Sequence, residues 1–162
     1  MTTSSPLPAG VSLRRADRSD AAAIRRLVWQ VRINPLALDW QRFTLVVDAD
    51  GRMLACAQVK PHGDGTRELA SLAVVPPWRG KGLAHALIAH FQQQAGPPLY
   101  LTCRIALEPF YSRIGFRALE DAELPPYFAR LQRIANMFSW LARRRLESIM
   151  RWDGPLPPAR LP

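Results

Sequence analysis

Arg79-Gly80-Lys81-Gly82-Leu83-Ala84 sets two glycines and two cations between an apolar run and a helix-like one. Where a strand gives way to a helix, the first backbone N–H groups have no intrahelical partner, and the helix dipole favours an anion beside them. Glycines let the chain come close to phosphate oxygens, and Arg79 and Lys81 add positive charge. The chemistry on offer is therefore the gripping of phosphate. It is not that of a nucleotide P-loop, because the run before Gly-Lys-Ser/Thr is absent. A dinucleotide G-x-G-x-x-G would in turn need a glycine where His85 stands. Taken alone, the turn also fits an ordinary loop with surface cations.

Glu68 is the second candidate, a carboxylate in a run otherwise made of Ala, Leu, Ser and Val, where an unpaired charge is costly. A salt bridge to Arg67 or to an arginine of the first helix would explain it, and so would a chemical role. His62 falls in a turn, and His85 and His90 are five apart on one helix, so they share no face as a ligand pair. All three read as surface or helix-packing histidines, and no metal is expected. Cys56 and Cys103 each sit in an apolar run and are too few for a disulfide framework or a zinc knuckle. They read as buried thiols, and Cys103 has no histidine beside it in sequence to make a thiolate.

The 162 residues fit one compact domain able to bury a core without staples. Lysines and arginines number 22 against 13 acids, a net +9, and only Lys60 and Lys81 are lysines. That balance suits nucleic acid, an anionic surface or a ligand with several phosphates. The arginines are scattered apart from Arg143-Arg144-Arg145, with no recognition-helix, zinc-finger or ribonucleoprotein signature, so nucleic acid is not the expected partner. Apolar stretches break before the roughly 18 residues of a membrane span. Met1 to Gly10 lacks a basic start and an apolar core, reads as a short disordered leader rather than a secretory signal, and points to the cytoplasm.

The elements around these residues follow from pattern. Val11 to Arg15 alternates like a strand, and Asp17 to Asp20 offers caps for a helix running to about Val31, with Ile24, Leu27, Val28 and Val31 as its buried stripe. Asn34-Pro35 ends it. Strands are predicted over 43–47, 53–59 and 68–75, joined by turns at 48–51 and 61–65. A helix over 80–94, a strand over 99–105, a short helix over 107–114 and a strand over 116–119 follow, so that 68–105 makes a parallel βαβ crossover. Tyr127 to Arg144 is an amphipathic helix carrying Phe128, Leu131, Ala135, Phe138 and Ala142, broadened by Ile134 and Leu141. Residues 146–152 suit a closing strand and 155–162 a Pro-rich tail. The expected fold is α/β, or α+β: a mixed sheet of about 6–7 strands flanked by helices, in one domain over 11–154 with a helical insertion at 122–144.

Two motifs at this separation give the chain a resemblance. Glu68-Leu69-Ala70-Ser71-Leu72-Ala73-Val74-Val75-Pro76, followed by R-x-x-G-x-A at Arg79 to Ala84, is similar to the acyl-CoA-binding motif of the GNAT superfamily of acyl-CoA N-acyltransferases. Pro109-Phe110-Tyr111-Ser112-Arg113-Ile114-Gly115-Phe116 resembles that family's "FY…GF" element. The resemblance implies acetyl-CoA as cofactor, its pyrophosphate on Arg79, Gly80, Lys81, Gly82, Leu83 and Ala84. Its pantetheine arm is implied along Leu72, Ala73, Val74 and Val75, opposite Leu101 to Ile105, with Arg113 as a further cofactor contact. A backbone N–H near Val74 would polarise the thioester carbonyl. Tyr111 stands where the family commonly protonates the leaving thiolate, and Glu68 where it often takes a proton from the acceptor. Core packing for Tyr111 and a salt bridge for Glu68 remain the plain alternatives.

The departure from the family is the long, helical 119–146 interval, expected near the acceptor side. It suggests a pocket lined by Trp40, Tyr127 and Phe128, with Cys103 and Arg104 below. Alternatively Phe128, Leu131 and Phe138 cover the sheet or make a homodimer contact. The expected activity is direct acetyl transfer to a primary amine of a small molecule or peptide, without a covalent enzyme intermediate. A non-catalytic acyl-CoA sensor and a basic nucleic-acid binder are the competing readings. A +9 chain favours a neutral or acidic acceptor over a polyamine.

Overall fold

The computed structural model describes residues 7–139 and 147–155. The expectations for the leader before Leu7, for Leu141 to Leu146 with its arginine triplet, and for the tail beyond Pro155 lie outside the described residues. So do those for the side chains of Ala135 and Phe138. The chain packs as two compact units, drawn from Met1–Lys60 with Leu69–Gln94 and from Pro61–Glu68 with Ala95–Pro162.

The first unit is built on β1 (Ser12–Arg15), α1 (Ala21–Gln30), β2 (Phe43–Val47), most of β3 (Met53–Pro61) and β4 (Arg67–Val74), and α2 (Leu83–Ala95). Asp17 opens the first helical segment, taking the Ser19 N–H at 2.7 Å while Asp20 takes its own N–H at 2.8 Å, a reciprocal cap. The apolar stripe of α1, Ile24, Leu27 and Val28, is buried against Phe43, Leu45, Val47, Cys56 and Ala73. The expected fourth member, Val31, is half-buried at the edge of that core. All five residues of β2 are buried, as a strand covered on both faces requires. On the face away from α1, Thr44 Oγ1 lies 3.3 Å from His90 Nε2 of α2. His90 is thus the helix-packing histidine expected, its pKa lowered by burial and then by Arg15.

The second unit holds β5 (Leu99–Arg104), α3 (Glu108–Ser112), β6 (Phe116–Ala118), α4 (Pro126–Ser139) and β7 (Glu147–Trp152). β7 runs antiparallel between β5 and β6, so the closing strand expected at the end of the chain forms. The seven described strands are ordered β1-β2-β3-β4-β5-β7-β6. The crossover is parallel, registered through Glu68↔Tyr100. This is the mixed sheet with helices that the sequence predicts.

Some boundaries differ for local reasons. The second helix begins at Leu83 rather than Gly80, because Gly80 and Gly82 have φ of +75° and +80° and so lie outside helical geometry. The third helix is shortened to Glu108–Ser112, with a 3₁₀ turn over Ile105–Leu107 before it. α4 starts on Pro126, whose missing N–H costs a first helical position nothing. The expected apolar face of that helix is rotated. Phe128 is fully buried against Tyr100 and Leu119, while Leu131 and Ile134 are 42% and 53% exposed and do not cover the sheet.

Candidate active site

In the first unit, β4 leads into the Arg79–Ala84 turn through a 3₁₀ turn at Pro76–Trp78. Arg79 Nε donates to the Val74 carbonyl at 3.3 Å, and Lys81 Nζ lies 4.5 Å from the centre of the Trp78 ring. Both cations are thus placed beside the turn by neighbours on its own segment. Nothing stands within 4 Å of where a Cβ would lie on Gly80 or Gly82. The space beside the two left-handed glycines is therefore open to a phosphate, in front of the N–H groups that open α2. Along β4, Ala73 is buried in the core while Leu72 and Val74 on the other face are half-buried. Ala73 can therefore meet a ligand only through its backbone. Ser71, within the same strand, has φ +56°, a strained conformation for a residue with a side chain. It is fixed there by Gln58 Nε2, which donates to Ser71 Oγ at 3.0 Å and to the Ala37 carbonyl at 3.2 Å. Trp40 packs on this unit's core, half-buried.

In the second unit Glu68 has the partner its setting demands, and the partner is His62. Nε2 of His62 lies 2.9 Å from Glu68 Oε2, and the two side chains are only 9% and 13% exposed. Arg67, the alternative partner, turns its guanidinium to the carbonyls of Ala95, Gly96 and Pro97 instead. His62 is not the surface histidine its turn suggests. Its ring stacks on Tyr127 at 3.5 Å and 13°, and meets Phe128 edge-on at 5.9 Å. The hairpin makes the pairing readable in retrospect: the His62 N–H bonds the Thr66 carbonyl, which leaves Glu68 as the diagonal neighbour of His62 across the turn.

Asp64, also unremarked in the sequence, fastens this turn to α4. Its Oδ1 accepts from the Thr66 hydroxyl at 2.6 Å and its Oδ2 from the Tyr127 N–H at 2.8 Å. The Thr66 hydroxyl first, then the Tyr127 and Thr66 N–H groups, hold its pKa down to about 2. A depressed carboxylate contributes stability above its unfolded pKa of about 4, and that contribution is lost as pH falls towards 2. Asp64→Ala removes the cap of α4 and is expected to cost about 1 kcal/mol, or about 2–4 °C in Tm. Thermal melts at pH 7 and pH 3 check this, the difference between the proteins shrinking at the lower pH. Tyr127 has its phenol raised by burial, then by Glu68 and Asp64.

Tyr111 sits on α3, 9% exposed, with its ring edge-on to Phe110 and Phe116. Burial first, then Cys103, pushes its pKa up to about 12. It therefore holds its proton throughout the physiological range. Strand register places it relative to Glu68. Phe116 pairs with Trp152 and Trp152 with Leu99, so these share a face with Tyr111, whereas Glu68 pairs with Tyr100 on the other face. The acid candidate and the carboxylate candidate thus approach the sheet from opposite sides.

Burial and strand direction bear on two expectations for the acceptor pocket. Phe128 is wholly buried and packs core rather than lining an open pocket. Cys103 and Arg104, adjacent on β5, point to opposite faces and cannot both underlie one pocket. Cys103 is buried, its thiol 3.7 Å from Met150 Sδ and pushed up to about 11 by burial, then by Glu108 and Glu147. It is a thiol, not a nucleophilic thiolate. Arg104 and Arg113 are exposed. No group of three or more metal-ligating side chains occurs among the described residues, and no described helix is long and apolar enough to cross a membrane.

Residues 40–118 match the family model described as the acetyltransferase (GNAT) domain. No protein of curated function matches the chain. Among solved structures, N-acetylglutamate synthase from Neisseria gonorrhoeae, complexed with coenzyme A and N-acetyl-glutamate, is similar with a TM-score of 0.71 at 22% identity over 90% of this chain. The chain spans only 35% of that synthase's length. Rv2747 from Mycobacterium tuberculosis, in complex with CoA, has a TM-score of 0.67 at 23% identity, covering 88% of this chain and 98% of its own. Escherichia coli ElaA gives 0.64 at 15% identity, covering 88% and 99%. At these identities the likeness is one of fold.

Proposed function

From the match of residues 40–118 to the GNAT acetyltransferase domain and the shared fold we propose that this chain is an acetyltransferase of that kind and transfers the acetyl group of acetyl-CoA directly to a primary amine. The observation that carries the reading is the Arg79–Ala84 turn, with its two left-handed glycines, open space beside them and flanking cations. Acetyl-CoA supplies an activated acyl group as a thioester. The chain's part is to hold the pyrophosphate on that turn and to manage protons in the second unit. Glu68 takes one proton from the acceptor ammonium on one face of the sheet, the free amine attacks the thioester carbonyl, and the C–S bond breaks as Tyr111 gives its proton to the sulfur from the other face, so acceptor and leaving group are served from opposite sides. The amide nitrogen then loses a second proton and the phenol is reprotonated, so one proton is released overall. A thiol that keeps its proton at Cys103 supports direct transfer over an acyl-enzyme. The acceptor is an amine of a small molecule or peptide, met in the cytoplasm.

Incubation with acetyl-CoA and a panel of amino acids and simple amines, with free thiol measured, tests the activity. Coenzyme binding without turnover across the panel would favour a sensor. Glu68→Gln is then expected to lower turnover about 10²-fold near neutral pH, with recovery as rising pH deprotonates the amine in solution. A glutamate that only held structure would lower Tm and leave the pH–rate profile unchanged.

A further inference from the structure

We propose that His62 is a positioning residue for the Glu68 carboxylate, holding one oxygen so that the other is the proton acceptor. The inference rests on Glu68 as the base. An ionised carboxylate can only accept hydrogen bonds, so at 2.9 Å the His62 Nε2 must carry the proton and donate it to Oε2. The direction of that N–H is fixed by the ring plane. Tyr127 lies flat against the imidazole, Phe128 meets it edge-on, and the Asp64 bond to the Tyr127 N–H ties α4 to the turn that carries His62. With both side chains nearly buried, water competes weakly for the bond, and a carboxylate so held keeps one orientation instead of many. Oε1 is left to take the ammonium proton. The carboxylate becomes carboxylic acid, the ammonium becomes amine, and the proton later passes to water.

The titratable groups around the imidazole are Glu68 on β4, Asp64 on its own turn, Tyr127 on α4 and Tyr100 on β5 behind Phe128. Only Glu68 is placed to accept from Nε2.

Two variants separate ring from donor. His62→Phe keeps a flat ring against Tyr127 and removes the N–H; His62→Gln gives up the ring and restores an N–H donor. With acetyl-CoA and the best amine of the panel as probe, His62→Phe should lower kcat about 10-fold to 10²-fold with KM for acetyl-CoA unchanged. His62→Gln should recover most of kcat, and His62→Phe should add little to the loss already seen in Glu68→Gln. Wild-type kcat in a folded His62→Phe protein, alongside an impaired Glu68→Gln, would overturn the positioning role and leave the base standing. A silent Glu68→Gln would overturn both. Imidazole ¹⁵N spectra need no acceptor: His62 should carry its proton at Nε2, facing Glu68. A proton held on Nδ1 alone would also overturn the proposal.

Discussion

Tyr111→Phe is expected to leave acetyl-CoA affinity at the parent value and to lower turnover by about 10²-fold, within the range for a positioned proton transfer. The ring and its contacts with Phe110 and Phe116 survive the change, so the fold and coenzyme site should be untouched. The lower end of the range follows from the surroundings. A phenol pushed up to about 12 is a reluctant donor, and handing its proton to a thiolate is uphill unless the sulfur is desolvated as well. The same burial that raises the tyrosine would raise the thiol, so proton transfer should accompany C–S cleavage. The shift also fixes a sign in the pH profile. An unperturbed tyrosine would lose its proton, and the enzyme its acid, near pH 10; here activity should persist through pH 10. Single-turnover thiol release over pH 7–10.5 measures both. Wild-type turnover in Tyr111→Phe where chemistry limits the rate would remove the acid role.

Gly82→Asp should weaken acetyl-CoA binding about 10²-fold, more than any other single change in the turn. A unit charge about 6 Å from a phosphate costs about 3 kcal/mol at an effective dielectric constant of about 20. The structure supplies the control. With φ at +80°, any side chain at Gly82 is strained, although a Cβ itself would meet nothing. Asn and Asp tolerate that conformation comparably, and differ in charge rather than shape. Gly82→Asn therefore carries the backbone cost, and the gap between the two variants in calorimetric titration is the electrostatic part. Equal affinities in Gly82→Asp and the parent protein would take the coenzyme away from this turn.

Much of the fold could be read in the sequence because period and punctuation agreed. Phe43–Val47 ended at Asp48-Ala49-Asp50-Gly51, and Glu147–Trp152 alternated just before Asp153-Gly154. The glycine turn was legible for the same reason, although its left-handed geometry delays the helix by three residues. His62 was not legible. Turn residues are usually exposed, and nothing local in Pro61-His62-Gly63 signals that a helix more than 60 residues later will be laid over the ring. The orientation of α4 failed likewise. Leu131 and Ile134 fit an apolar stripe by spacing, but the face that turns inward is set by the Asp64 tie and the aromatic contacts of Tyr127 and Phe128. Nor could spacing show that Glu68 and Tyr111 stand on opposite faces, which follows only from the pairing register of β4, β5, β6 and β7.

The clasp between Asp64 and the Tyr127 N–H also orders events during folding, because it joins positions 63 residues apart. Closing a flexible loop of that length costs about 3–4 kcal/mol in chain entropy before any contact offsets it. Once Glu68 has paired with Tyr100, the path from Asp64 to Tyr127 is roughly halved and the cost falls by about 0.6 kcal/mol. The helix is therefore best docked after the parallel crossover has formed. His62 and Glu68 are synthesised well before Tyr127 and Phe128, the residues that give them aromatic cover. A nascent chain stopped before residue 126 would hold the glycine turn and the phenol of α3, but a histidine and glutamate still open to water. By the same token, local opening of α4 in the finished protein would uncover that pair without unravelling the sheet.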